Sequence, residues 1–188
     1  ALLFAGARHV AAARVDHLKP VTDFADALID QLDGRDFIVT DGIIDPQVRL
    51  AARRAGLDLK IMNLQETSSR QQARYHASFF KDEETRSLAL IGLPAALRDW
   101  VTRDASAADR IALMVTPDVL RLPGLEVRPA AYFYKIAPAD QAFDGEALLD
   151  DLLVDPVRQQ LSRVPAIEPG EAGWFQRQFI TRWFSRMA

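Results

Sequence analysis

The chain has 188 residues, 26% of them charged and 49% hydrophobic, with no cysteine and a formal net charge of -3. That length buries a core without covalent staples. The missing cysteines exclude a disulfide scaffold, a thiol nucleophile and cysteine-ligated zinc, and the slightly acidic balance argues against nucleic acid as a partner.

The opening stretch has no basic leader ahead of its apolar part, so it does not read as a secretory signal. Leu2, Leu3, Phe4 and Ala5 could be the last turns of a spanning helix lying upstream, with Arg8, His9 and Arg14 just outside the bilayer. An amphipathic helix packed on the domain is the plainer alternative. Both ends read as those of a piece cut from a longer chain, since the last residues still follow a helical pattern. Residues 1–20 are therefore expected to be an N-terminal helix or membrane-proximal linker.

Residues 21–33 place Val21, Phe24, Ala25, Leu28 and Leu32 on one helical face, with Thr22 or Asp23 as cap and Gly34 as stop. Residues 36–42 are a short β-branched apolar run ending in polar turn residues, expected as a buried strand. Asp45 and Pro46 open a helix, the first as cap and the second at its first position. That helix ends at Gly56, and a second strand follows over 57–64. The unit is β-α-β, which predicts parallel neighbours.

A helix capped by Thr67, Ser68 or Ser69 runs to about Phe80. Residues 83–103 are a longer helical stretch, broken near Gly92, Leu93 and Pro94. The third strand spans 110–116, and a short helix ends at Pro123-Gly124. Residues 125–128 and 130–136 are a fourth strand or two pieces around Pro129, which suggests an edge or a bulge. Two short helices over 144–153 and 155–163, a break at 168–171 and an aromatic-rich helix over 172–187 complete the chain. The expected fold is α/β, a three-layer, mostly parallel Rossmann-like sheet over residues 21–138 with a helical extension over 139–188.

Ligands of open parallel sheets collect at the carboxyl ends of the strands. Asp41, Gly42, Asn63, Thr116 and Asp118 stand at three such ends and form the candidate ligand site. Asp41 and Asp118 could hold a divalent cation or sugar and ribose hydroxyls, and Gly42 would admit a ligand close to the backbone. The plainer reading is that these residue types serve as caps and turns. No phosphate loop, no G-x-G-x-x-G after a strand and no G-x-S-x-G elbow occurs, so no catalytic residue and no cofactor is assigned. His9, His17 and His76 lack carboxylates at ligand spacing and read as surface or packed histidines, so no metal site is assigned either. The aromatics and arginines of 172–188 read first as packing on the domain, and second as a membrane-interface or partner surface.

The stretches Asp36–Gly42 and Asp58–Gln65 resemble a segment of bacterial polytopic membrane proteins related to protein O-mannosyltransferases. In those, a strand ending in an Asp/Gly turn is followed by a helix and a strand ending in Asn-Leu. The resemblance covers roughly 30 residues. It implies a position beyond the last membrane helix, on the extracytoplasmic side, often before tetratricopeptide repeats. It carries over no catalytic residue. The resulting expectation is a non-catalytic α/β domain of a larger membrane-associated protein. Its partners would be the rest of the same polypeptide and an unknown small ligand at the strand ends. The alternatives are a stand-alone cytoplasmic enzyme acting on a sugar or nucleotide through Asp41 and Asp118, and an interaction module using helix 172–188.

Overall fold

The computed structural model describes residues 19–65, 69–117, 120, 124–130, 132–140, 169 and 174–187. The expectations for His9, His17, Asp118, the short helix before Gly124 and the helices of 144–163 lie outside the described residues.

Helix α1 is already formed at residue 19 and runs to 30. Thr22 and Asp23 therefore lie inside it rather than capping it, and Asp23 pairs one turn back with Lys19 at 2.8 Å. The buried stripe is the expected one, Val21, Phe24, Ala25, Leu28 and Leu32. The helix ends three residues earlier than its pattern, because Asp33 and Gly34 both take positive φ and turn the chain.

Strand β1 (Phe37–Thr40) is buried throughout. It pairs in parallel with β2 (Lys60–Asn63), Phe37 opposite Lys60 and Thr40 opposite Asn63. Helix α2 (Asp45–Arg54) makes the crossover. Asp45 is its first residue rather than its cap: Ile44 holds the cap position without a side-chain bond. The Asp45 carboxylate instead accepts from the buried Thr40 hydroxyl at 2.6 Å. After β2, Ser69 caps α3 (Arg70–Ala77) by accepting from the Gln72 amide. Asp82 caps α4 (Glu83–Ile91) by accepting from Thr85 N at 2.8 Å. The expected break falls at Gly92, where Pro94 sits in the first turn of α5 (Leu93–Arg103). A short helix α6 (Ala107–Arg110), which no sequence pattern announced, leads into β3 (Ile111–Met114).

Strand β3 lies on the other side of β1, again parallel, with Thr40 opposite Met114. Residues 125–138 form two strands. β4 (Leu125–Pro129) and β5 (Tyr134–Pro138) are antiparallel, and β5 pairs antiparallel with β3. The order is β2-β1-β3-β5-β4. The fold is α/β, but the sheet is mixed rather than mostly parallel. The physical reason is the short 130–133 connection: parallel return needs a crossover of a dozen or more residues, and a tight link allows only antiparallel pairing. Pro129 lies on the edge strand, where its missing N–H breaks no ladder.

Neighbouring residues of β1 point to opposite faces. Phe37 meets Trp100 of α5 edge-on at 4.7 Å and Phe79 at 6.4 Å. A second aromatic cluster joins α1 to helix α7 (Trp174–Met187): Phe24, Tyr132 and Phe184 lie 5.5–5.8 Å apart by ring centroid. Trp183 stacks on Phe179 at 5.7 Å, and its indole N–H donates to the Tyr132 carbonyl at 3.0 Å. The aromatic helix is thus part of the core, as its first reading expected. Among the described residues, no helix is long and apolar enough to cross a membrane.

Candidate functional site

The carboxyl ends of β2, β1 and β3 lie side by side and point the same way. At the first two, the polar residue closes its own turn. Asp41 Oδ1 accepts from Ile43 N at 3.2 Å, and Asn63 Oδ1 accepts from Gln65 N at 2.8 Å. These are Asx turns, the local use that Asp and Asn serve after a strand.

Gly42 has φ +89°, a region that side chains with a Cβ rarely adopt. What approaches it closely is the Asn63 amide: an added Cβ would run into Nδ2 and lie 3.2 Å from Cγ. The glycine therefore makes room for a neighbouring side chain.

Behind Asn63, one outward N–H of the edge strand β2 finds a partner. Lys60 N and Leu64 N donate inward to Asp36 O and Thr40 O, both at 2.9 Å, so the Asn63 N–H faces outward. It donates to Nε2 of buried His76 at 3.3 Å, and the Gln72 amide nitrogen lies 3.5 Å from the same atom. Accepting a backbone N–H requires the lone pair on Nε2, which assigns the ring proton to Nδ1. His76 is a packed histidine with an edge-capping task.

The four described candidate residues divide between two cavities. Asp41 and Thr116 line one of about 490 Å³, together with Ile43, Leu64, Gln65, Met114 and Val115 from the strand ends. Its opposite wall is α7, which contributes Trp174, Phe175, Gln178, Phe179, Arg182 and Trp183. Gly42 and Asn63 line the other, of about 560 Å³, between α2 and α3 with Arg49, Arg53 and Gln72. The two threonines that follow a strand core are not equivalent. Thr40 stands opposite Met114, is buried and is bonded to Asp45, whereas Thr116 lies two residues further out and is half-buried.

The strand-end cavity has a defined polarity. Its floor, Met114, Val115, Phe179 and Trp183, is buried, while Ile43 and Phe175 stand at the mouth, Phe175 being 73% exposed. Trp174 and Phe175 pack edge-on at 4.9 Å. Asp41 is half-buried and Arg182 exposed. Among the described residues these are the acidic and the basic group of the lining, and their charges balance. Among the described residues, no group of three His, Asp or Glu side chains is placed to hold a metal ion.

The wall from α7 was not joined to the strand ends by sequence reasoning. The signal available was a stripe at helical spacing, 174/175, 178/179 and 182/183, mixing aromatics with Gln and Arg. Such a stripe says that a face is covered without saying by what. Comparison of the chain with family models, with curated proteins and with solved structures found no match.

Proposed function

We propose that this chain is a ligand-binding α/β domain. Its site is the crevice between the carboxyl ends of β1 and β3, beneath α7. One observation carries the reading: the strand order runs outward from β1 to β2 on one side and to β3 on the other. Such a reversal is where open sheets of this type bind small molecules. A cavity of about 490 Å³ lined by Asp41, Val115 and Thr116 lies there, within the usual size of small-molecule sites. The finer reading of the fold, a three-layer Rossmann-like arrangement, belongs to the same proposal.

The wider setting follows from the resemblance of the 36–42 and 58–65 stretches. The domain is read as a non-catalytic, extracytoplasmic part of a larger bacterial membrane-associated protein, in contact with the rest of that polypeptide.

Two measurements test this. Fragment screening by NMR is expected to shift resonances of Thr116, Gln178 and Arg182 together, with Asp41→Asn weakening the hits; a screen in which no compound moves these residues overturns the site. Fractionation of the native full-length protein is expected to find it with membranes and open to external protease. Recovery in the soluble cytoplasmic fraction overturns the setting.

A further inference from the structure

Resting on that binding-site reading, we infer that the ligand is an uncharged, hydroxyl-rich ring, that is, a mono- or disaccharide. The two walls of the cavity differ in chemistry. Among the described residues, its aromatic rings come from α7: Trp174, Phe175, Phe179 and Trp183. The strand ends supply aliphatic groups and a polar rim, Asp41, Gln65 and Thr116, and the helix adds Gln178 and Arg182. A complementary ligand has one apolar face and a polar circumference.

The aromatic wall is placed for such a face. Phe175 is 73% exposed at the mouth, touching the Trp174 ring edge-on at 4.9 Å. Aromatic faces are the negative end of a quadrupole. They attract the weakly positive C–H groups that a pyranose presents on one side.

The polar rim narrows the class further. Asp41 can only accept and Arg182 can only donate, while the two glutamines and the threonine do both. A hydroxyl donates and accepts at once, so one kind of group satisfies all five. A phosphate is chiefly an acceptor, and would bring its charge against Asp41 with Arg182 as the one cation among the described lining residues. A hydrocarbon offers no hydrogen-bonding group to the polar rim.

The chain reports on itself, because two of its three tryptophans, Trp174 and Trp183, line the cavity, and the third, Trp100, packs on Phe37. Tryptophan emission is followed while methyl hexopyranosides and disaccharides are added, with adenosine, inorganic phosphate and benzoate in parallel. A saturable change with at least one saccharide is expected. Phe175→Ala should weaken it about tenfold, Arg182→Ala and Asp41→Asn should weaken it as well, and Arg53→Gln, outside this cavity, should leave it unchanged. Saturable binding of adenosine, phosphate or benzoate that depends on Phe175, with none by saccharides, overturns the ligand class and leaves the site standing. Silence from every probe, repeated with NMR as readout, overturns both. Saccharide binding that Phe175→Ala and Asp41→Asn leave intact overturns the placement.

Discussion

Gly42 and Asn63 define each other. The positive φ at Gly42 strains any residue with a Cβ, and the space a Cβ would take is held by the Asn63 amide, which is itself fixed by Gln65 N. Gly42→Ala is therefore expected to lower stability by about 2 kcal/mol, the left-handed backbone cost plus displacement of Asn63. Gly56 separates the two contributions. It has φ +70° with nothing within 4 Å of an added Cβ, so Gly56→Ala meets the backbone cost alone. Urea melts of the two variants should rank Gly42→Ala as the more damaging; equal losses would show that Asn63 gives way freely. The sequence offers Gly42 as a residue that would admit a ligand close to the backbone. The contact with Asn63 is not legible there, because a side chain 21 positions away reaches Gly42 only through the parallel register of β1 and β2.

At the scale of elements, α7 does two jobs with two faces. Phe179, Ile180, Trp183 and Phe184 are buried, and Phe184 shares a ring cluster with Phe24 of α1 and Tyr132. Trp174, Phe175, Gln178 and Arg182 face the strand-end cavity, with Phe179 and Trp183 serving both. Phe184→Ala should cost about 3–5 kcal/mol in thermal or chemical melts, since a ring that is 1% exposed leaves a hole its neighbours fill only in part. A loss under about 1 kcal/mol would mean the helix is an appendage rather than part of the core. Phe175→Ala, by contrast, should leave stability nearly unchanged, so the two variants separate holding from binding. The break between α4 and α5 was legible from local chemistry, as was a cap within 67–69 and an edge or bulge at Pro129; the structure selects Ser69 and the edge. Helix α6 was not: a four-residue turn is too short to show a hydrophobic period.

Across the whole molecule, the end of the sheet opposite the cavity is closed by charge. Asp36, just before β1, meets Arg110, just before β3, through two hydrogen bonds of 2.9 and 2.5 Å, and Lys60 of β2 lies 3.4 Å away. Arg110 also lies over the rings of Phe37 and Trp100. Partial burial pushes the Asp36 carboxyl up, but the Arg110 hydrogen bonds and the charges of Arg110 and Lys60 together outweigh it, and its pKa lies below the usual 3.8. The sign follows. A lowered folded-state pKa stabilises the fold above the unfolded value, and that contribution is lost as pH falls below about 4 and through the folded value. Acid titration of stability should show this loss, and Asp36→Asn should flatten the curve in that window. An unchanged slope would mean that the three groups act independently of folding.

The sequence by itself determined the parts that depend on neighbours along the chain. These are the apolar face of α1, the buried runs of β1, β2 and β3, the parallel β-α-β unit, the proline-led start of α2, the break before α5 and the buried aromatic face of the last helix. Each follows from side-chain period, backbone restriction or capping chemistry within a few residues. Only the tertiary structure decided what depends on residues far apart. It turned the second half of the sheet antiparallel, because the 130–133 link is too short for a crossover. It divided the four described candidate residues between two cavities, because β1, β2 and β3 differ in where their turns begin. It brought α7 over the strand ends, because burying Phe179, Trp183 and Phe184 against α1 and Tyr132 fixes where the helix lies, and so which of its remaining side chains line the crevice.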